Sequence, residues 1–157
     1  MKVSNLSIRQ DDLTGPDIQS LLAFHQADAV SKSPPGTSYA LDLTGLQGPD
    51  ISLWSAWVGN TLAGCAALKH MSVTQGEIKS MRTAPAFVRH GVASQILLHI
   101  IQIARDRGYQ TLCLETGTNT AYAPAVALYQ RHGFIPGPVY GNYVAGPHNQ
   151  FFYLDLA

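Results

Sequence analysis

The sequence predicts a single α/β domain: a mixed, mostly antiparallel central sheet flanked by helices on both faces. Three observations lead there. Short β-branched or aromatic runs alternate with two segments of helical periodicity and a third helix framed by Pro and Gly. The 157 residues amount to one ordinary domain. No repeat, low-complexity tract or linker divides them, so residues 1–157 form one unit.

Leu6 to Arg9 reads as a first strand. Pro16, suited to a first helical turn, opens an amphipathic segment with apolar Ile18, Leu21, Leu22 and Ala29 at helical spacing, ended by the punctuation from Ser33 to Gly36. TSYALDLTGLQG, before Pro49, is rich in turn formers and reads as a loop, where binding groups tend to reside. ISLWSAWV and TLAGCAALKH are two strands joined at Gly59-Asn60, which supply the two positive-φ positions of a tight hairpin. A third extended run, EIKSMRT, completes a meander and closes at Ala84-Pro85. From Val92 to Arg107 apolar residues, Leu98 and Ile103 among them, nearly encircle a helix and leave a polar stripe at Gln95, His99, Gln102 and Asp106; such a helix is largely buried. Gly108 stops it. TLCLET follows as a buried strand, AYAPAVALYQRHGF as a helix with Pro124 near its start and Gly133 at its left-handed C-cap, and FFYLDL as the last strand.

Apolar residues at 46% with charged residues at 13% exclude intrinsic disorder, and no apolar run approaches the roughly 18 residues of a membrane span. Ten bases balance ten acids, which removes the electrostatic footprint of a nucleic-acid or anionic-membrane binder. The charges are unevenly placed. Through Ala66 three bases face six acids, and from Ala67 onward seven bases face four acids, so an anionic ligand favours the second half. Cys65 and Cys113 have no CxxC or Cys/His spacing and read as small buried hydrophobes on strands; the six His lack ligand spacing, so no metal is expected. The start MKVSNLSIRQDD lacks a signal-peptide core, which points to a reduced, cytoplasmic protein. Two Trp and seven Tyr supply material for an interface, so a homodimer stays among the readings.

The informative segment is MRTAPAFVRHGVASQILLHII: a strand, a Pro-containing turn, then a basic loop opening a buried helix. Unsatisfied amide N–H groups and the positive end of the helix dipole converge at that opening, so an anion belongs there. Gly91 and Ala93 allow close backbone approach to a phosphate, and Arg89 adds charge. Neither GxxxxGK[ST] nor GxGxxG is present, which argues against nucleoside triphosphates and dinucleotides.

Val88 to Ala93 resembles the (Gln/Arg)-x-x-Gly-x-(Gly/Ala) pyrophosphate loop of the GNAT superfamily of acetyl-CoA-dependent N-acetyltransferases. MRTAP resembles the strand and Pro ahead of that loop, and ALYQRHGF resembles the family's Ala-x-Leu-Tyr-x-x-x-Gly-Phe helix end. The three elements occur in the family's order, and the order of elements along the whole chain fits as well. The resemblance implies acetyl-CoA as donor, with the amides from Arg89 to Ala93 on its pyrophosphate and the main chain of Met81 and Thr83 pairing with the pantetheine arm beside a splayed sheet. The implied cofactor set is Met81, Arg82, Thr83, Val88, Arg89, His90, Gly91, Val92, Ala93, Ser94 and Tyr122. There are two departures. Val88 stands where the motif prefers Gln or Arg, and Tyr122 stands where many relatives place a CoA-contacting Asn.

Acetyl transfer to an amine needs a neutral nucleophile, oxyanion stabilisation and a proton for the departing thiolate. Glu77, 14 residues before Gly91, resembles the strand Glu of the histone-acetylating branch and is the candidate base; Tyr129 matches the family Tyr that protonates the sulfur. Neither thiol lies in a segment that suggests activation, so a covalent acetyl-enzyme is not expected. Tyr39, Asp42, Glu115 and Tyr143 are candidate acceptor-binding residues, with Tyr140 beside them. The reading is direct transfer to a primary amine of a small molecule. The alternatives are a peptide N-terminus or protein lysine as acceptor, favoured by a long open groove between the Tyr39 and Tyr140 loops, and a catalytically silent acyl-CoA-binding sensor.

Overall fold

A computed structural model describes residues 3–157. Four strands, β1 (Leu6–Asp11), β2 (Ile51–Val58), β3 (Thr61–His70) and β4 (Gln75–Thr83), form an antiparallel meander. Three more, β5 (Thr111–Gly117), β6 (Ile135–Gly137) and β7 (Asn149–Asp155), form a second antiparallel block, and the whole sheet runs β1-β2-β3-β4-β5-β7-β6.

The two blocks meet through one short parallel pairing, in which Gln75, Gly76 and Glu77 of β4 face Thr111, Leu112 and Cys113 of β5. Beyond Glu77, β4 pairs only with β3; beyond Cys113, β5 pairs only with β7. The sheet therefore splits, and the edge of β4 from Ile78 to Thr83 offers main-chain groups with no strand beside them. Such groups require a partner, which makes the split a place for an extended ligand.

Helices cover both faces. On one, α1 (Pro16–Lys32) lays Ile18, Leu21 and Leu22 on Leu53, Cys65 and Ala67. On the other, α3 (Val92–Asp106) and α4 (Ala123–Arg131) enclose the larger core, with Ile96, Leu97, Ile100 and Leu128 against Ile78, Leu112, Leu114 and Phe152. Each fully buried Leu or Ile contributes about 1.5–3 kcal/mol relative to exposure, so these two layers hold the split sheet from above and below.

Four local expectations are corrected. The segment between Thr37 and Pro49 is not wholly loop: it contains the one-turn helix α2 (Leu43–Leu46), capped by the Asp42 carboxylate accepting from the Gly45 amide at 2.8 Å. At the hairpin only Gly59 has positive φ, 59°, and Asn60 does not, the sign pattern of a II′ turn. Leu98 on α3 is 53% exposed, so the helix buries one broad face instead of nearly its whole girth. The short edge strand β6 was not expected from Ile135-Pro136-Gly137, because Pro and Gly are poor strand formers tolerated at an edge.

Candidate active site

The turn into α3 is made by two left-handed residues, Arg89 at φ 65° and Gly91 at φ 79°. Gly91 occupies the N-cap, where no side chain satisfies the first helical amides. Those donors, the dipole of a fifteen-residue helix and the exposed Arg89 face a cavity of about 670 Å³ opened by the split in the sheet. Residues, backbone and charge thus fit a diphosphate with an extended arm running along β4.

Of the cofactor residues expected from sequence, Met81, Arg82 and Thr83, then Val88, Arg89, Gly91, Val92, Ala93 and Ser94, and finally Tyr122 all line this cavity. His90 does not; its carbonyl accepts the Val3 amide at 2.8 Å and ties the turn to the chain's start. Ser94 Oγ lies 2.9 Å from His132 Nε2, and Tyr122 Oη lies 3.3 Å from Ser33 Oγ, so α3 is joined to the end of α4 and α1 to the turn before α4.

Glu77, Glu115, Tyr39, Tyr143 and Tyr129 line the same cavity, although they come from five separate segments. Asp42 stands apart: exposed and engaged as the α2 cap, it does not join them. Glu77 is 1% exposed, and its Oε2 accepts the phenols of Tyr140 at 2.5 Å and Tyr143 at 2.6 Å. Lys79 Nζ donates to Tyr143 Oη at 2.5 Å and lies 3.8 Å from the same carboxylate oxygen. Burial holds the Lys79 ammonium below its ordinary pKa and raises both phenols, which the Glu77 charge raises further. Glu115, on β5 across the split, is pushed up to about 7 by burial. Burial pushes the Tyr129 phenol up to about 12, and its hydroxyl has no hydrogen-bond partner among the described residues. The same cause pushes the Cys65 thiol up to about 12 and Cys113 to about 11, so both remain thiols.

A polar cluster that the sequence reading overlooked closes the α1 side. Arg82 Nε donates to His25 Nδ1 at 2.9 Å, and Arg82 Nη2 lies 2.9 Å from Asp28 Oδ2, which Lys32 also reaches at 2.7 Å. Burial, with the Arg82 charge second, lowers His25 to about 4, so this imidazole is a neutral acceptor. The signal was present. Ile18, Leu21, Leu22, His25, Ala29 and Lys32 continue one helical stripe that turns polar halfway, at the point where α1 leaves the sheet and overhangs the cavity.

Among the described residues no helix is long and apolar enough to cross a membrane, and no group of three or more His, Cys, Asp or Glu is placed to hold a metal.

Residues 18–134 match the model of the Acetyltransferase (GNAT) family. The chain is 45% identical over 150 residues to the uncharacterized N-acetyltransferase YedL of Escherichia coli (strain K12), covering 96% of this chain and 94% of that one. Among solved structures, a Klebsiella pneumoniae protein assigned as an acyl-CoA N-acyltransferase shares the fold at TM-score 0.81 and 24% identity, with 97% and 98% of the two chains covered. A GNAT family acetyltransferase from Elizabethkingia anophelis, solved with acetyl-CoA bound, has TM-score 0.70 and 20% identity, with 98% and 99% covered. With the open turn at the head of α3, a split sheet and these relatives in agreement, the chain belongs to the GNAT family of acetyltransferases.

Proposed function

We propose that the acceptor is a primary amine of a small molecule, acetylated by direct attack on the thioester in a ternary complex. One observation carries this reading. The loop bearing Tyr39 and the connection bearing Tyr143 meet, their rings edge to face with centroids 4.9 Å apart, so this contact narrows the acceptor side of the cavity. A peptide would need a long open groove between these two loops, and the contact stands across that path.

Within the chamber the base is Glu115 and not Glu77. Oε2 of Glu77 is already occupied by two phenols, and its carboxylate is buried beneath them. Glu115, titrating near 7, is matched to proton removal at neutral pH. It takes a proton from the bound ammonium; the freed nitrogen attacks the thioester carbonyl; the C–S bond breaks as Tyr129 protonates the departing thiolate, and the nitrogen's second proton passes to the Tyr129 phenolate, leaving the amide and free CoA. Acetyl-CoA supplies the activated acyl group. The Arg89 to Ala93 turn fixes its diphosphate, and the β4 edge orients its arm.

Incubation with acetyl-CoA and two panels, compact primary amines and short peptides, tests the assignment through release of free thiol. Turnover confined to the amines is expected. Turnover confined to peptides would overturn it, and tight acetyl-CoA binding without turnover on either panel would instead favour a sensor.

A further inference from the structure

Glu77 is the most deeply buried carboxylate among the described residues, yet its neighbours leave little room for proton transfer with an acceptor. Both of its phenol donors belong to residues 138–148, the connection between β6 and β7, which has no helix or strand of its own. That connection is tied at its ends, where Tyr153 Oη donates to the Pro138 carbonyl at 2.6 Å and Thr118 Oγ1 to the Pro147 carbonyl at 2.7 Å. Its middle is held by Glu77 and by ring contacts of Tyr140 and Tyr143 with Phe151, edge-on for the first and tilted for the second, at 5.6 and 5.7 Å between centroids. Hydrogen bonds from phenols to a carboxylate are charge-assisted and about twice as strong as neutral ones, so the Glu77 contacts dominate.

We propose that Glu77 is a positioning residue: by accepting the hydroxyls of Tyr140 and Tyr143 in a single carboxylate oxygen, it seats the Tyr143 ring against Tyr39 and thereby sets the size of amine that reaches Glu115. Lys79 reinforces the arrangement, donating to Tyr143 Oη with its Nζ 5.2 Å from the centroid of the same ring. The chemistry selected is a compact primary amine, because the packed phenols of Tyr39 and Tyr143 narrow the path that a second residue of a peptide would take. The inference rests on the small-amine reading above and adds the device that enforces it.

The test uses the full chain and two variants that remove the same contact from opposite ends, Glu77→Gln and Tyr143→Phe. The first readout needs no acceptor: chymotrypsin cleavage after Tyr140, followed by mass spectrometry. Glu77→Gln should accelerate that cut about tenfold, the factor expected for losing a hydrogen bond to a charged group. The second readout is steady-state kinetics with n-butylamine, benzylamine and trialanine as probes. Each variant should raise KM for the two amines about tenfold while kcat falls much less, and should narrow the preference for them over trialanine. The double variant should do little more than either single one.

An unchanged cleavage rate in Glu77→Gln would overturn the proposal. So would a fall in kcat with loss of the acid limb of its pH profile and an unaltered KM, since that is the signature of a base. If the native chain turns over none of the probes, the small-amine reading fails, whereas the cleavage readout still decides whether Glu77 anchors the connection.

Discussion

On the proposed cofactor side of the cavity the turn at the head of α3 is one short stretch, of which Val88, Arg89, Gly91, Val92 and Ala93 line the cavity and offer chiefly main-chain amides. On the acceptor side the lining groups are side chains from β4, β5, α4, the Tyr39 loop and the connection before β7, brought together by tertiary structure alone. A site made of backbone tolerates side-chain change so long as the turn survives. One made of side chains can be retuned at any single position. The two sides should therefore fail differently, through acetyl-CoA affinity in one case and through rate or acceptor KM in the other.

The largest effect is expected at the chamber's base. Glu115→Gln should lower kcat by about 10²–10⁴-fold, the usual range for removing a general base, with acetyl-CoA affinity intact. In the native enzyme the rate should fall as pH drops below about 7, because the carboxyl is then protonated, and the variant should lose that limb. Stability should move the opposite way. A carboxyl raised from 4.5 to about 7 favours the folded state at low pH, and that contribution fades as pH climbs through about 7. Thermal melts at pH 8 should thus find the variant at least as stable as the parent. A full-rate variant with an unchanged profile would remove Glu115 from the chemistry.

Next comes the backbone side. Gly91→Glu places a Cβ at φ 79° and a negative charge beside the diphosphate. Left-handed strain of about 1–2 kcal/mol and like-charge repulsion together should weaken acetyl-CoA by about a hundredfold in calorimetry. Kinetics at saturating donor should be far less affected, and an unaltered Kd would contradict the placement of the turn. Tyr129→Phe probes the seam between the sides, since this residue belongs to the α3 and α4 core while lining the cavity. A phenol titrating near 12 keeps its proton at neutral pH, so its loss should slow turnover by about tenfold or more with little change in Kd. Undiminished turnover would exclude it as the acid.

The same contrast decides what could be read without coordinates. The turn from Val88 to Ala93 was legible because a contiguous turn carries its geometry in its own residues: the left-handed position before α3 falls on Gly91, which adopts it without strain. The sequence also singled out Glu77, by its spacing to Gly91, and it lines the cavity together with Lys79, two positions on along the same strand. Which carboxylate accepts two phenols was not legible. The answer depends on Tyr140 and Tyr143, 63 and 66 positions away from Glu77 along the chain, and local sequence carries no trace of such a pairing. The polar half of α1 falls between the two cases, its stripe visible in the spacing but its purpose dependent on the sheet splitting beneath it.

Asp42 marks where the acceptor chamber ends, and the smallest predicted effect tests that boundary. Three residues after Tyr39, it lies in the loop the sequence singled out, yet its carboxylate caps α2 from an exposed position, and α2 buries Leu46 under α1. Asp42→Ala should remove a helix cap and lower stability by about 1 kcal/mol, or about 2–4 °C in Tm for a domain of this size. Acceptor KM should stay within about twofold, a change too small to imply a lost contact. Asp42→Asn separates charge from capping, because asparagine caps as well as aspartate. It should restore Tm and leave KM alone. If Asp42→Asn keeps Tm but raises KM severalfold, the carboxylate meets the amine, and the chamber extends past the Tyr39–Tyr143 contact that was assigned as its wall.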